Sequence, residues 1–586
     1  MLRNTHQGGS LFRNIHFDSF PHFPVFLLCL FFILNKVKIG MNSITHISAS
    51  MVNLKSVLLL LIAFSLGFST SPAQTRSGQM PIIPDSVKVF RDNNYTGRGN
   101  VDEPVLHIVI PVSEGSRPVL SEVHLNFKGT SHLKDITQCR IYNTGNVNAF
   151  NPGKSSGDLL ATARIRRSEL TLKTREGLLP GDNHLWLTVD VSPKAVEGNK
   201  IDVALESIRV DDWNYPIVNG NPEGSREILL KRVLVLAPGD YSSKNYRIPA
   251  IITADDHSLV ILTDKRKDNS IDLPEDIDII AQRSTDGGKT WSKPVTVAKG
   301  EGRYKGYGDA CIIKTLSGKL VALYVGGPGL WNSTSEKPQG HYMSVSDDNG
   351  KSWSGPVDIT DQLYGINCPD SVRRHWQSSF FGSGRGLTLR DGRIMAVIAV
   401  RESKENHKLN NYVVYSDDEG TTWHVSQKAI DGGDEAKVVE LNDGTILLSS
   451  RTAGNRLWTK STDRGVTWGP KNAWHEIWGN ACDADIIRYT STRDGYDKNR
   501  ILHTLPNAKN RTNVSMWLSY DEGLTWPVRK TICKGESAYS SITILPDGTI
   551  GVYVEEDESV PYKMYFLNFS LDWLTDGKDH FRKADG

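Results

Sequence analysis

The chain has 586 residues, too many for one ordinary hydrophobic core, so two or more domains are expected. Its 68 basic and 67 acidic side chains nearly cancel, which excludes the global basic excess of a nucleic-acid binder. With 51 Gly, 14 Trp and 38% hydrophobic residues, the composition suits a turn-rich all-β protein.

Two apolar runs lie near the start. Pro24–Leu34 is too short to span a bilayer comfortably. The second is better organised: Met51–Lys55 is a charged lead, Val57–Phe68 an apolar stretch, and Ser71-Pro-Ala73 offers small residues before Gln74. This pattern predicts a signal peptide cleaved near Ala73, with translation starting at Met51 or Met41, and a secreted, periplasmic or cell-surface protein with no membrane span. An N-terminal anchor is the alternative. Of the six cysteines only Cys29 precedes the cleavage point, and no CxxC pair occurs, so neither a disulfide framework nor a zinc site is indicated.

Residues 74–85 read as a polar leader. Over residues 86–236, alternating runs such as Val105–Pro111, Val123–Phe127, His184–Asp190 and Ile201–Leu205 are separated by Gly, Asn and Pro turns. They predict an antiparallel β-sandwich, either a candidate carbohydrate-binding module or a spacer. Ala237-Pro-Gly-Asp240 marks the expected boundary.

Residues 237–586 carry a repeated octet, Ser-x-Asp-x-Gly-x-Thr/Ser-Trp. Its five copies begin at Ser284, Ser346, Ser416, Ser461 and Ser519. Each follows a strand-like run, and its chemistry is that of a hairpin turn. Asp can bond nearby amides, Gly can take a positive φ, and Trp can anchor the returning strand. Further strands are headed by Asp443-Gly-Thr and Asp547-Gly-Thr turns. The spacing and length predict a six-bladed β-propeller, its sixth blade without an octet. The octets build scaffold, so function must lie elsewhere.

Tyr246-Arg-Ile-Pro-Ala250 followed by five such octets resembles the secreted bacterial sialidases (neuraminidases) over about residues 241–570. The region before it resembles the N-terminal domain of the Bacteroides-type members. The octets are shared with other propellers; the Arg-Ile-Pro motif and the residues below are the specific part.

The resemblance implies an arginine triad of Arg247, Arg451 and Arg511. Guanidinium forks can grip the carboxylate of sialic acid bidentately and stay charged at every pH. It implies Asp272 as acid/base, with Arg266 on the sugar's hydroxyl side, although Asp268, Glu275, Asp276 and Asp278 crowd the same loop. Tyr539 matches the nucleophile and Glu435 its carboxylate partner. The substrate's carboxylate is bonded to the reacting carbon and would repel an anionic nucleophile; a neutral phenol avoids this but needs a base in contact. Softer matches are Asp309 near the sugar's acyl side and Glu555, with Glu556 as rival, bracing Arg247. Tyr307, Trp331 and Trp376 are candidates for the acyl pocket or for core packing.

The sequence thus points to an exo-α-sialidase that hydrolyses terminal sialic acid from glycoconjugates with retention. It is expected to act as a monomer with no metal or organic cofactor. A trans-sialidase, an anhydro-forming sialidase or a non-catalytic sialoglycan-binding propeller could carry much the same residues.

Overall fold

The computed structural model describes residues 86–151, 157–557 and 562–584. The expected signal peptide and the 74–85 leader lie outside the described residues.

A six-stranded and a four-stranded sheet form the first layer pair. Val105, Ile108 and Ile110 of Glu103–Val112 and Leu185, Leu187 and Val189 of Gly181–Val191 meet Val123 and Leu125 of Val119–Asn126 and Ile208 of Ala204–Val210 in one core. Side chains two apart along each strand share a face, so alternating apolar positions become one wall of that core. Most pairings are antiparallel; Val87 with Ile217 and Ile228 with Thr96 are parallel.

From Asn245 onward the chain makes successive sheets in a propeller-like arrangement, antiparallel apart from the parallel pairing of Tyr307–Lys314 with Gly384–Arg385. The first comprises Asn245–Thr253, Leu259–Arg266, Ile277–Ser284 and Val295–Ala298, and three more follow up to Gly479. The last is seven-stranded, because the 17-residue strand Val528–Ile544 pairs with Thr512–Ser519 through its first half and with Ile550–Glu556 through its second. Neighbouring sheets touch through Asn245–Thr253, which packs on Tyr307–Lys314 and on the central strand Val528–Ile544 of the last sheet.

Each octet closes on itself by the same bonds. In the first, the Gly288 amide donates to Ser284 Oγ at 2.8 Å and the Thr290 amide to Asp286 Oδ1 at 2.9 Å. The serine bond recurs at Gly350, Gly420, Gly465 and Gly523. Gly288 has φ +89°, and a Cβ there would stand 2.0 Å from the Phe566 ring, so both backbone and space require glycine. Trp423 and Trp526 are buried in the layers between strands.

One strand lies elsewhere than its sequence neighbours suggest. Lys231–Leu236, read above as the end of the 86–236 domain, pairs antiparallel with Lys563–Phe569 and so completes the last sheet. Its alternation marks a strand, but its partner lies some 330 residues away, a distance no local pattern encodes. The junction is tied further by Glu197, which accepts from the Ser570 amide and hydroxyl at 3.0 and 2.6 Å.

A fragment beginning at Lys231 is therefore expected to melt higher and stay more soluble than one beginning at Ala237. The shorter fragment leaves the edge of Lys563–Phe569 unpaired. Differential scanning calorimetry of the two checks this, and equal Tm and solubility would contradict it.

Candidate active site

The site collects where three strands leave their regular register. Pairing shifts between Arg247 and Ala250, between Gly308 and Cys311, and between Ser537 and Ser540. Such irregularities re-aim a side chain out of the pleat, and they fall on Arg247, Asp309 and Tyr539. Ile248 and Asp309 sit at φ +62° and +57°, a region costly for a β-branched residue such as Ile248.

Glu555 compensates at Ile248. Its carboxylate, wholly buried, accepts the Ile248 amide at 2.7 Å, the Tyr539 amide at 3.2 Å, and Arg247 Nε and Nη2 at 3.1 Å each. The rival Glu556 points the other way and pairs with Arg232 at 2.6 Å. The Arg247 edge not held by Glu555 faces Asp272, 3.9 Å from Nη1.

Tyr539 is buried, and its hydroxyl lies 2.8 Å from both Oε1 and Oε2 of Glu435. Arg451 Nη1 donates to that hydroxyl at 2.8 Å and also bonds Glu435. Arg511 lies over the Tyr539 ring, 5.3 Å from its centroid, and Arg247 lies 5.0 Å from it. The structure thus brings Arg247, Arg451 and Arg511 around one phenol.

Asp272 is the solvent-facing carboxylate, its side chain 70% exposed, 2.6 Å from Arg266 Nη1. Three of its four loop rivals are engaged away from this group: Glu275 with Arg303 at 3.0 Å, and Asp276 and Asp278 with Lys267 at 2.8 Å each. Asp309 joins the same group electrostatically, through Asp264, Asp272, Glu435 and Arg266.

Sequence reasoning passed over several residues. Asp264, fully buried, holds Arg266 Nη2 at 3.2 Å; its position two residues before Arg266 on one strand puts both on one face and was a readable signal. Asp434 pairs with Arg451 Nε at 3.3 Å. Tyr562 lies against Arg247, 4.8 Å from ring centroid to guanidinium, and no motif marks it. Of the aromatic candidates, Trp376 is core, its ring tilted against Tyr412 with centroids 4.5 Å apart. Tyr307 packs edge-on against Tyr324 and Tyr342, whereas Trp331 is exposed beside His407. Among the described residues no cluster of His, Cys, Asp and Glu could hold a metal ion, and no helix is long and apolar enough to cross a membrane.

Residues 272–552 match the BNR repeat-like domain, and residues 97–214 match the N-terminal domain of BNR-repeat neuraminidase. A Bacteroides fragilis sialidase is 28% identical over 76% of this chain and 86% of its own length. A Clostridium perfringens sialidase is 32% identical over 56% of this chain, a match that takes in 91% of that protein. The chain belongs to the sialidase family. The fold agrees: a Hadza microbial sialidase superposes with TM-score 0.66 at 24% identity, over 83% of this chain and all of its own. The protein is accordingly a glycosidase of the exo-α-sialidase type, and sialylated glycans are its substrate class.

The electrostatics of this sialidase site divide its carboxyl groups. Burial pushes Glu435 up, against the pull of Arg451, so it stays the more basic carboxylate that a proton acceptor needs. Burial and the adjacent Glu435 push the Tyr539 phenol well up, despite Arg451 and Arg247, which keeps it neutral. Asp264 is pushed up to about 7, chiefly by burial, and Asp309 is raised by burial and its acidic neighbours. Asp272 goes the other way. Its side chain is open to solvent, but the protein packed around the site still desolvates it in part, which would raise it; Arg266 and Arg247, with help from Arg511, outweigh that and hold it below the usual carboxylate range.

A carboxylate bound at the arginines should cancel part of that positive potential and raise the Asp272 pKa. Binding a 2,3-unsaturated sialic acid in mildly acidic buffer is therefore expected to take up protons, and Asp272→Asn to abolish most of the uptake. Calorimetry in buffers of different ionisation heat measures this. Proton release on binding would show the sign to be wrong.

Proposed function

We propose that this sialidase hydrolyses terminal sialic acid from glycoproteins, glycolipids and oligosaccharides with retention, through a tyrosyl-linked intermediate. The observation that carries the reading is the Tyr539 hydroxyl held 2.8 Å from both Glu435 oxygens and from Arg451. Arg247, Arg451 and Arg511 bind the substrate carboxylate. Tyr539 oxygen attacks the anomeric carbon while its proton passes to Glu435. Asp272, protonated once the substrate's charge has met the arginines, gives its proton to the departing glycosidic oxygen. Water then attacks the same carbon, Asp272 takes a proton from it, and the phenol leaves with the proton returned by Glu435. Two displacements at one carbon restore its configuration.

Arg266, gripped by Asp264 and Asp272, orients the acid. Asp309 serves the acyl and C4 side of the sugar. On this reading the seven-stranded sheet is counted as two blades sharing Val528–Ile544, which gives six. A monomer secreted after cleavage near Ala73 completes the proposal.

Tyr539 and Glu435 act as one unit, so their losses should not add. Tyr539→Phe is expected to fold normally and lose nearly all hydrolysis; Glu435→Gln added to it should cost little more. A mechanism-based fluorinated sialic acid should label Tyr539 in the wild type. An adduct on another residue in peptide mapping, or losses that multiply in the double variant, would sink the assignment.

Asp272→Ala should discriminate between leaving groups. Natural sialosides should lose about 10²–10⁴-fold in kcat/KM, since their alkoxide needs a proton. An activated aryl sialoside should lose far less. Equal losses on both would assign Asp272 to binding instead of acid catalysis.

A further inference from the structure

Arg456 lies against the backbone of Glu435, its side chain shut away from water with 1% exposed. It belongs to the strand Gly454–Ser461 and sits at a shift of pairing between Asn455 and Leu457. As at Arg247, Asp309 and Tyr539, the irregularity re-aims a side chain. Nε donates to Ser449 Oγ at 3.2 Å and Nη1 to the Cys482 carbonyl at 2.9 Å. Nη2 lies 3.5 Å from the Glu435 carbonyl, which also accepts the Arg451 amide at 2.8 Å. Among the described residues all three acceptors of Arg456 are neutral, and a wholly buried arginine rarely goes without a carboxylate.

The charges around Glu435 show what this cation answers. Lys437 is taken by Asp483, whose two oxygens lie 2.7 and 2.8 Å from its Nζ. Arg451 is divided between Asp434 and Glu435. Arg247 and Arg511 lie over the Tyr539 ring instead. Burial keeps the Tyr539 phenol and the Cys482 thiol protonated, raises Asp309, and holds His503 neutral. Lys437, Arg451 and Arg456 therefore stand against Asp483, Asp434 and Glu435, and the pair left incomplete is Arg456 with Glu435.

We propose that Arg456 is the positioning residue of Glu435, fixing its main chain against Cys482 and supplying from behind the charge that Arg451, shared with Asp434, does not. Burial favours the protonated acid, which could not accept the phenol's proton. A cation in a dry interior opposes that, because little water screens it. Its contact is with the Glu435 carbonyl, so both carboxylate oxygens stay turned to Tyr539. Arg456 acts on the reaction only through Glu435.

The inference rests on Glu435 as the proton acceptor, and the experiment keeps the two apart. The rate at which a 2,3-difluoro sialic acid labels Tyr539 is followed against pH for the wild type, Arg456→Met, Arg456→Lys and Glu435→Gln. Its anomeric fluoride leaves without a proton from Asp272, so the rate reports the phenol and its base. The wild-type rate is expected to fall on an acid limb set by Glu435. Arg456→Met removes a cation, which raises the carboxylate's pKa, so its limb should move up by about one pH unit. Arg456→Lys keeps the charge but cannot reach three acceptors. Its limb should stay in place, with the plateau rate about 10-fold lower.

A limb that stays put in Arg456→Met, even where Tm falls, makes the residue structural and overturns the proposal. A limb that moves in Arg456→Lys, or a wild-type plateau there, overturns it as well. Should Arg456→Met fail to fold, Arg456→Lys decides alone. A wild type without an acid limb, or Glu435→Gln labelled as fast as wild type, removes Glu435 as the acceptor and this inference with it.

Discussion

Everything in the site hangs on the carboxylate of Glu555. It is wholly buried, so its charge has no water to rely on and must be met by protein donors. It meets four: two guanidinium nitrogens of Arg247 and the amides of Ile248 and Tyr539. Those donors come from Asn245–Thr253 and from Val528–Ile544, far apart in sequence and side by side in the molecule. One side chain therefore fixes the first arginine, the strained backbone beside it and the start of the nucleophile's residue. Removing it would leave a buried cation with two amides unpaired, which costs far more than the ion pair itself contributes.

Around that anchor the charges are set in opposition. Three arginines gather at the Tyr539 phenol, and four acidic groups, Asp264, Asp272, Asp309 and Glu435, face them. Such a mixture keeps every charge answered in a site that must also admit a charged sugar. Exposure separates the roles. Glu435 and Asp264 are buried and shifted upward, while Asp272 stands in solvent under the pull of Arg266 and Arg247. The one acid that must exchange a proton with an incoming oxygen is also the one that water and substrate can reach.

The repeated octets were legible because their turn chemistry is local: a serine, an aspartate and a glycine within eight residues make the same bonds five times. The motif residues were legible only through resemblance, since nothing in the composition of the 268–278 loop singles out Asp272. Geometry does so, by setting Asp272 against Arg266 and Arg247 and by giving Lys267 and Arg303 to Asp276, Asp278 and Glu275. The Lys231–Leu236 strand was read in the wrong company because strand pairing is a long-range property. Tyr562 left no trace at all. A lone tyrosine just before a strand looks like packing, and only its place beside the Arg247 guanidinium gives it another meaning. Trp376, which the sequence left open between the acyl pocket and core packing, is core.

The pair Glu555-Glu556 shows how the scaffold and the site are joined. Successive strand residues face opposite ways, so two adjacent carboxylates serve two different tasks. Glu555 turns to Arg247 and the catalytic side. Glu556, also buried, accepts from Arg232 at 2.6 Å and from Asn94 at 2.9 Å. Arg232 belongs to the strand that completes the last sheet, and Asn94 to the region ahead of it. Slipping this strand by one residue would exchange the two carboxylates, leaving Arg247 and Arg232 without their partners at once. The register of Ile550–Glu556 is thus held from both faces, and the closure of the sheet and the aim of the first arginine are one constraint.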